Sequence, residues 1–305
     1  MSYRLVIFVI SLGLFTAGLS VAAWFSHRSL PELVTPLLAE IFPTPLPTPS
    51  PTPPPSAGLS AAVSSALAGS SGLYGVVVKD LKTGEYYYQN AHTPFEAGSL
   101  YKLWVMGAAY SQIQSRALDP NLVLSDTIPD LNAEFNISSD SAELTDGDIS
   151  ESVSDALNQM ITISHNYSAM LLTLKLGLSD ISDYMVKNGF TESSLNSDSQ
   201  TTPSDMALFL EKLYTGKLAD ADDTAQMLSL LKAQTFNDGL PKLLPPGTVV
   251  AHKTGEIDNA YHDVGIVYSP KATYIIVVMT QSDSPEDAVN RIAAVSQSVY
   301  TYFNP

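Results

Sequence analysis

A run of prolines near the N-terminus constrains this chain more than any other feature. Residues 43–55 read PTPLPTPSPTPPP, with eight prolines in thirteen positions. Each proline fixes φ and lacks a backbone N–H, so the run is expected to be an extended spacer of roughly 40 Å. It separates a short N-terminal part from residues 58–305, which carry every strongly periodic segment. That second part is therefore expected to form the folded domain.

The chain before the prolines contains a long apolar segment. Leu5–Phe25 is 21 residues without a charged side chain and follows Arg4. It is long enough to cross a bilayer, so residues 5–25 are expected to be a single-pass anchor in the cell membrane. The alternative is a signal peptide cleaved near Val21-Ala22-Ala23, which would leave a secreted protein. Both interpretations place the domain outside the cytoplasm. The resulting division is 1–28 (anchor or signal peptide), 29–57 (juxtamembrane segment and proline-rich linker) and 58–305 (folded domain).

Composition excludes several kinds of partner. The chain has 15 Lys and Arg against 31 Asp and Glu, a formal charge of −16, so nucleic-acid binding is not expected. It has no cysteine, which excludes disulfides, thiolate metal sites and a Cys nucleophile. His252 and His262 flank neighbouring predicted strands, but no third ligand with zinc-like spacing accompanies them. We therefore expect no metal and no other cofactor, and a monomer kept soluble by its charge.

Hydrophobic periodicity predicts an α/β (α+β) domain. Strands are predicted at its two ends, over 74–78, 86–88, 248–253, 264–268 and 273–280. Helices are predicted over 59–68, after Ser99, and over 152–163, 166–176, 179–188, 203–214, 222–234 and 284–303. The whole stretch from about Asn121 to Asp238 is predicted to be helical. An antiparallel sheet completed from both ends of the chain around a helical insert accounts for this order.

Ser99-Leu100-Tyr101-Lys102 is a Ser-x-x-Lys motif at the start of a predicted helix. Residues three apart on a helix share a face, which brings the hydroxyl and the amine together. A serine hydroxyl is a poor nucleophile until a base takes its proton, and a lysine serves as that base when burial and a second cation lower its pKa. The helix N-terminus also offers free N–H groups to an oxyanion. Tyr101 is expected to form a wall of such a site.

Two further motifs follow in order, and the ordered set is more informative than any member. Ser164-His165-Asn166 lies between two predicted helices, and Lys253-Thr254-Gly255 lies at the end of a predicted strand. A second serine can relay a proton to a leaving nitrogen, and an asparagine can bind a substrate amide. The lysine and threonine of the third motif offer a positive charge and a hydroxyl to an anionic group.

In these motifs the chain resembles the penicillin-recognising serine hydrolases, and within them the class A β-lactamases. The resemblance covers nearly all of 58–305, including Thr201–Ala207. It implies a five-stranded antiparallel sheet flanked by helices, plus an all-helical lobe, with the active site between the two. The roles it implies are Ser99 as the acylated nucleophile, Lys102 as its proton acceptor or relay, Ser164 and Asn166 as the second motif, Lys253, Thr254 and Gly255 as the third, and the N–H groups of Ser99 and Glu256 as the oxyanion hole.

The chain departs from the class A pattern at three places. Glu192-Ser193-Ser194-Leu195-Asn196 matches the motif that carries the deacylating glutamate, but its loop is about a dozen residues shorter than in that pattern. Glu192 is therefore either a repositioned water-activating base or a loop glutamate without a role. His165 replaces the usual aspartate, either as a hydrogen-bonding substitute or as a general base. The strand after the third motif lacks an arginine for the substrate carboxylate, and neither Arg116 nor Arg291 is an obvious replacement.

The sequence is compatible with three functions. The first is a membrane-tethered β-lactamase that hydrolyses the β-lactam amide through an acyl-enzyme on Ser99. The second is a low-turnover penicillin-binding, D-Ala-D-Ala peptidase-like or esterase enzyme acting on cell-wall peptides. The third is a non-hydrolytic module that senses wall fragments. The presence of both Ser99 and Lys102 favours an enzyme.

Overall fold

A computed structural model describes residues 56–196 and 199–305. The predicted membrane segment Leu5–Phe25 and the proline-rich run at 43–55 lie outside the described residues. Within the described part, no helix is both long enough and apolar enough to cross a membrane.

A five-stranded antiparallel sheet, in the order β2-β1-β9-β8-β7, forms the centre of the domain. Its strands are β1 (Leu73–Asp80), β2 (Tyr86–Gln89), β7 (Val249–Ile257), β8 (Ala260–Tyr268) and β9 (Thr273–Gln281). The middle strand, β9, pairs with β1 at Val76↔Val278 and with β8 at Val264↔Val277. Its sequence is rich in β-branched residues and carries no charge, as a strand covered on both faces requires. The sheet is completed from both ends of the chain, as the sequence predicts.

Successive residues of β9 face two separate hydrophobic cores. Ile275 and Val277 lie in the core shared with the helical lobe. Ile276 and Val278 lie in the core under α1 (Ala57–Ala66) and α9 (Pro285–Phe303). Because side chains alternate between the faces of a strand, a short apolar segment joins both layers.

The helical lobe packs around α2, which is buried from Lys102 through Tyr110. The helices of this lobe are α2 (Lys102–Gln114), α3 (Ile128–Glu134), α4 (Val153–Thr162), α5 (Asn166–Leu176), α6 (Leu178–Lys187), α7 (Pro203–Tyr214) and α8 (Ala221–Lys232). Several of them begin at a side-chain cap: the Ser152, Thr202 and Asp220 side chains accept backbone N–H groups of α4, α7 and α8. These caps satisfy N–H groups that a helix start leaves unpaired.

The prediction that the whole middle of the chain is helical is wrong. It contains a pair of antiparallel strands, β4 (Val123–Thr127) and β5 (Asp148–Ser152). Leu124, at 9% exposure, is the one buried residue of these two strands, so the apolar alternation that indicates a strand is missing. Two further short strands, β3 (Phe95–Glu96) and β6 (Gln200–Thr201), pair with each other beside the segment that leads to Ser99.

Candidate active site

Ser99 lies in a 3₁₀ helix, Gly98–Tyr101, that leads directly into α2. Gly98 has a φ of +47°, and a Cβ at this position would lie 2.9 Å from the backbone nitrogen of Glu256 on β7. Glycine is therefore required on two counts, its left-handed backbone and the close approach of the two chains. Since β7 is an edge strand, the Ser99 segment is held against the edge of the sheet.

A buried histidine fixes the chain just before Ser99. His262 on β8 contacts the Glu96 carbonyl oxygen through Nε2 at 2.7 Å, and its Nδ1 accepts the Thr280 N–H at 3.1 Å. Burial lowers the pKa of His262 to about 4, so the ring is neutral and Nε2–H is the donor. This histidine positions the Ser99 segment and is not available as a metal ligand.

Lys102, the first residue of α2, is fully buried and hydrogen-bonded to the second motif. Its Nζ donates to the Ser164 carbonyl oxygen at 2.6 Å, to Ser164 Oγ at 3.1 Å and to Asn166 Oδ1 at 2.6 Å. Burial lowers the pKa of Lys102 to about 7, against the opposing effect of the Glu143 negative charge. A large fraction of this lysine is therefore a neutral amine at neutral pH, which is the form that accepts a proton.

Ser164 joins the first and third motifs. It lies between α4 and α5 with a φ of +55°, a left-handed conformation that is uncommon for a serine. Its Oγ accepts a hydrogen bond from Lys253 Nζ at 3.0 Å as well as the one from Lys102. Both buried lysines thus donate to this one hydroxyl, so either of them can pass a proton to it.

The third motif lies inside β7 rather than at the end of a strand, which corrects the prediction. Lys253 is fully buried, and β7 continues beyond it to Ile257. The last two residues of the strand are exposed, so a buried, apolar pattern does not show where the strand ends. Burial and then the positive charge of Lys102 hold the pKa of Lys253 well below its usual value. Gly255 lets the strand pass the Ser99 segment, since a Cβ there would lie 2.9 Å from the Ala97 carbonyl oxygen.

Two cavities open at Ser99. The first, of about 510 Å³, also contains Ser164 and Thr254 and extends to Phe236 and Lys242. The second, of about 440 Å³, is lined by residues that include Ser99, Tyr101, Asn166, Ser199 and Glu256. Ser99 and Glu256 line both cavities, Ser164, Thr254 and Gly255 line the first, and Asn166 lines the second. Lys102 and Lys253 line neither and are joined to the site by their hydrogen bonds to Ser164 Oγ.

His165 lies at the N-terminus of α5, where it holds its loop. Its Nδ1 accepts the backbone N–H of Ser168 at 3.2 Å, as an N-cap residue does, and contacts Ser168 Oγ at 2.7 Å. A nitrogen that accepts these hydrogen bonds is not the one that takes a proton from substrate. The geometry fits the hydrogen-bonding role of the replaced aspartate.

Glu192 is not brought to Ser99. It lines neither cavity at that serine, and its carboxylate contacts His92 Nδ1 at 2.9 Å and accepts a hydrogen bond from Thr202 Oγ1 at 2.9 Å. Partial burial raises the pKa of Glu192, but these two hydrogen bonds outweigh it, so the pKa is lowered overall. The carboxylate is held as a charged acceptor at a surface loop.

The two arginines of the domain also lie away from the cavities. Arg291 donates to Asp287 on α9 and to the Ala66 and Ala68 carbonyl oxygens, and Arg116 follows the C-terminus of α2. Lys242 lines the larger cavity instead and donates to Asn290 Oδ1 at 3.0 Å. Nothing in the sequence pattern distinguishes this lysine, because it comes from an irregular segment.

Glu143 is a site residue that sequence reasoning missed. It lies in the irregular segment between α3 and β5, and its Oε1 accepts a hydrogen bond from Asn166 Nδ2 at 2.6 Å. The segment has no periodicity and no motif, so only the fold reveals the contact.

Among residues 56–196 and 199–305, no group of three or more His, Cys, Asp or Glu is arranged to hold a metal ion. His252 instead contacts Asp263 at 2.8 Å, with both side chains 1% exposed. Asp263 Oδ2 also accepts the Leu240 N–H at 2.8 Å, which ties the wall of the larger cavity to the sheet.

The Ser-x-x-Lys motif with its buried lysine, the second serine and the Lys-Thr-Gly strand lie between an antiparallel sheet and a helical lobe. Together they define a β-lactamase-like serine hydrolase. The comparisons with known proteins agree with this class. A model of the β-lactamase enzyme family matches residues 58–303. The chain therefore belongs to the β-lactamase enzyme family.

Individual relatives are distant. A β-lactamase from Bacteroides uniformis is 25% identical over 268 residues, covering 77% of this chain and 87% of the relative. Among solved structures, a β-lactamase from Sphaerobacter thermophilus DSM 20745 has a TM-score of 0.71 at 22% identity, covering 81% of this chain and 97% of the other. PBP-A, in a mutant form solved as an acyl-enzyme complex with penicillin G, has a TM-score of 0.72 at 22% identity, covering 82% and 99%. These structural likenesses show a shared fold.

Proposed function

We propose that the protein opens β-lactams by acylation of Ser99 and hydrolyses the resulting ester. Ser99 Oγ attacks the β-lactam carbonyl carbon while its proton passes to the neutral Lys102 amine. The C–N bond of the ring then breaks, and Ser164 Oγ passes a proton to the leaving nitrogen, with Lys102 returning a proton to Ser164. Water finally cleaves the ester and restores the Ser99 hydroxyl.

The observation that carries this proposal is the Ser164 hydroxyl shared by two buried lysines. Lys102 Nζ and Lys253 Nζ lie 3.1 and 3.0 Å from Ser164 Oγ. Burial favours the neutral form of both amines, so a proton acceptor lies within hydrogen-bond distance of the hydroxyl that is proposed to protonate the leaving nitrogen. Burying two lysine amines beside each other costs free energy, and a pair with only a structural role would gain nothing in return.

The oxyanion hole is proposed to consist of the backbone N–H groups of Ser99 and Glu256. The Gly98 contact supports this pairing, since it brings the Ser99 segment against the Glu256 nitrogen. Two backbone N–H groups fixed before the reaction stabilise the developing oxyanion without reorganising.

A second candidate function is favoured by the position of Glu192. If no other group activates water, the acyl-enzyme on Ser99 is long-lived, and the protein behaves as a penicillin-binding or D-Ala-D-Ala peptidase-like enzyme. The hydrogen bonds of Glu192 to His92 and Thr202 support this slow deacylation.

Intact mass spectrometry separates the two candidates. The detergent-solubilised full chain is mixed with penicillin G, and the adduct and the hydrolysed product are followed in time, with Ser99→Ala as the control. A transient adduct with continued product formation supports the β-lactamase, and a persistent adduct supports the penicillin-binding enzyme. Neither adduct nor hydrolysed product from the unmodified chain, with ester substrates also inert, would refute acylation of Ser99.

We also propose that residues 5–25 tether the domain to the cell membrane, with the proline-rich linker as a spacer. The apolar length of this segment supports the anchor. Expression of the full chain in a bacterial host, followed by membrane fractionation and N-terminal mass analysis, tests it. A soluble product that begins near Ala23 would instead support a cleaved signal peptide.

A further inference from the structure

A carboxylate outside the three motifs contacts one of them directly. Glu143 Oε1 accepts a hydrogen bond from Asn166 Nδ2 at 2.6 Å. The opposite end of the same amide, Asn166 Oδ1, accepts one from Lys102 Nζ at 2.6 Å. The three side chains thus form a continuous chain from an exposed carboxylate to a fully buried amine.

The two ends of this chain determine how the amide is oriented. While Lys102 is charged, reversing the Asn166 amide would turn its N–H groups toward the Lys102 ammonium and its oxygen toward the Glu143 carboxylate, and both contacts would be repulsive. With the observed orientation, Glu143 takes one Nδ2 hydrogen and leaves the second for a substrate carbonyl. Glu143 therefore keeps Asn166 ready to bind substrate.

Glu143 also affects the charge on Lys102. The groups that face the Lys102 amine are Ser164 and Asn166 from the loop before α5, the Tyr101 ring 5.9 Å away, and Lys253 from β7, with which it shares Ser164 Oγ. The serine and the amide are neutral, and burial raises the pKa of Tyr101 far above its usual value, so its phenol is neutral as well. Lys253 disfavours a second positive charge. Glu143 is the negative charge that opposes these effects and raises the pKa of Lys102.

We propose that Glu143 is a positioning residue of the acylation site, which fixes the Asn166 amide for substrate and sets the balance between the charged and neutral forms of the Lys102 amine. It acts through Asn166 and Lys102 and does not itself contact the reacting atoms. The kinetic effect of this balance rests on the proposed function, in which Lys102 is the base. The balance itself is a property of the resting protein and is measured without substrate.

Direct titration of Lys102 is the first test. The full chain, solubilised in detergent and labelled with ¹³Cε-lysine, is titrated by NMR, and the Lys102 signal is assigned by its loss in Lys102→Arg. Glu143→Gln keeps an oxygen facing Asn166 Nδ2 but removes the charge, and Glu134→Gln removes an exposed charge from α3 as a matched control. The Lys102 midpoint is expected to fall in Glu143→Gln and to stay in place in Glu134→Gln. An unchanged midpoint in Glu143→Gln would overturn the electrostatic part of the proposal.

The pH profile of acylation by penicillin G is the second test. With a pKa of about 7 for Lys102, about one tenth of the amine is neutral at pH 6. Glu143→Gln is therefore expected to accelerate acylation at pH 6, by at most about tenfold, and to leave the rate at pH 9 unchanged. Glu143→Ala is expected to raise, in addition, the penicillin concentration that gives half the maximal rate, and Glu143→Asp to restore it.

These outcomes separate a failure of the proposed function from a failure of the role proposed for Glu143. If the unmodified chain forms neither adduct nor hydrolysed product, the proposed function fails, and the NMR midpoint still decides the effect of Glu143 on Lys102. If Glu143→Ala and Glu143→Gln show the same half-saturating concentration, the amide of Asn166 does not depend on Glu143, and the positioning part is wrong.

Discussion

The stability of the domain is expected to rise from pH 7 to pH 9, in a range where few proteins change. Lys102 has an ordinary pKa of 10.5 and a pKa of about 7 in the folded protein, because burial disfavours the ammonium. Between these values the unfolded chain binds more protons than the folded one, so the free energy of unfolding rises with pH. The full slope is about 1.4 kcal/mol per pH unit, and integrating both titrations from pH 7 to pH 9 gives about 2 kcal/mol. Lys253 acts in the same direction, since burial lowers its pKa too.

Urea denaturation of residues 56–305 at pH 7, 8 and 9 measures this effect. Lys102→Met removes the titrating amine, and Lys217→Met removes an exposed lysine as the control. The unmodified domain and Lys217→Met should gain at least about 2 kcal/mol between pH 7 and pH 9, at a constant m-value. Lys102→Met should gain about 2 kcal/mol less. An equal gain in Lys102→Met would mean that burying Lys102 does not disfavour its charge, and the proposed base would lose its physical basis.

Substitutions at three positions test the construction of the site. Gly98→Ala combines a left-handed φ with a Cβ 2.9 Å from the Glu256 nitrogen, so thermal unfolding should show a loss of about 1–3 kcal/mol, with acylation slowed far more than in any surface variant. His165→Ala should cost about 1 kcal/mol in the same assay through the lost cap of the Ser168 N–H, whereas His165→Asp should restore it, and equal stability of the two would contradict the capping role. Glu192→Gln should leave the deacylation rate by mass spectrometry unchanged, and a large fall would return this residue to the site.

The sheet and the site motifs were predictable because they depend on local pattern. β9 is apolar and β-branched throughout, and the two ends of the chain each supply strands, which together indicate a sheet completed from both ends. The three motifs were predictable because each holds its residues close in sequence. Their meeting point, the Ser164 hydroxyl, required the fold.

What could not be predicted depends on irregular segments. Glu143 and Lys242 reach the site from loops that carry no period and no motif. The β4–β5 strand pair was not predicted because a single buried leucine does not make an alternating apolar pattern. Glu192 stayed open between two roles in the sequence because its motif matches, whereas in the structure its carboxylate contacts His92 and Thr202. A short motif specifies residue types, and the length of the surrounding loop decides where they are placed.

The central position of β9 has a consequence for how the chain folds. β9 lies between β1 and β8, and its pairing of Val76 with Val278 joins residues about two hundred positions apart. Until residues 273–281 have been synthesised, the inner edge of β1 has no partner, and the apolar faces of both cores stay incomplete. Such long-range pairing makes folding slow and exposes strand edges that aggregate. Folding is therefore expected to finish only after residues 273–281 have been synthesised, and loss of β9 would remove the strand that holds the two cores together.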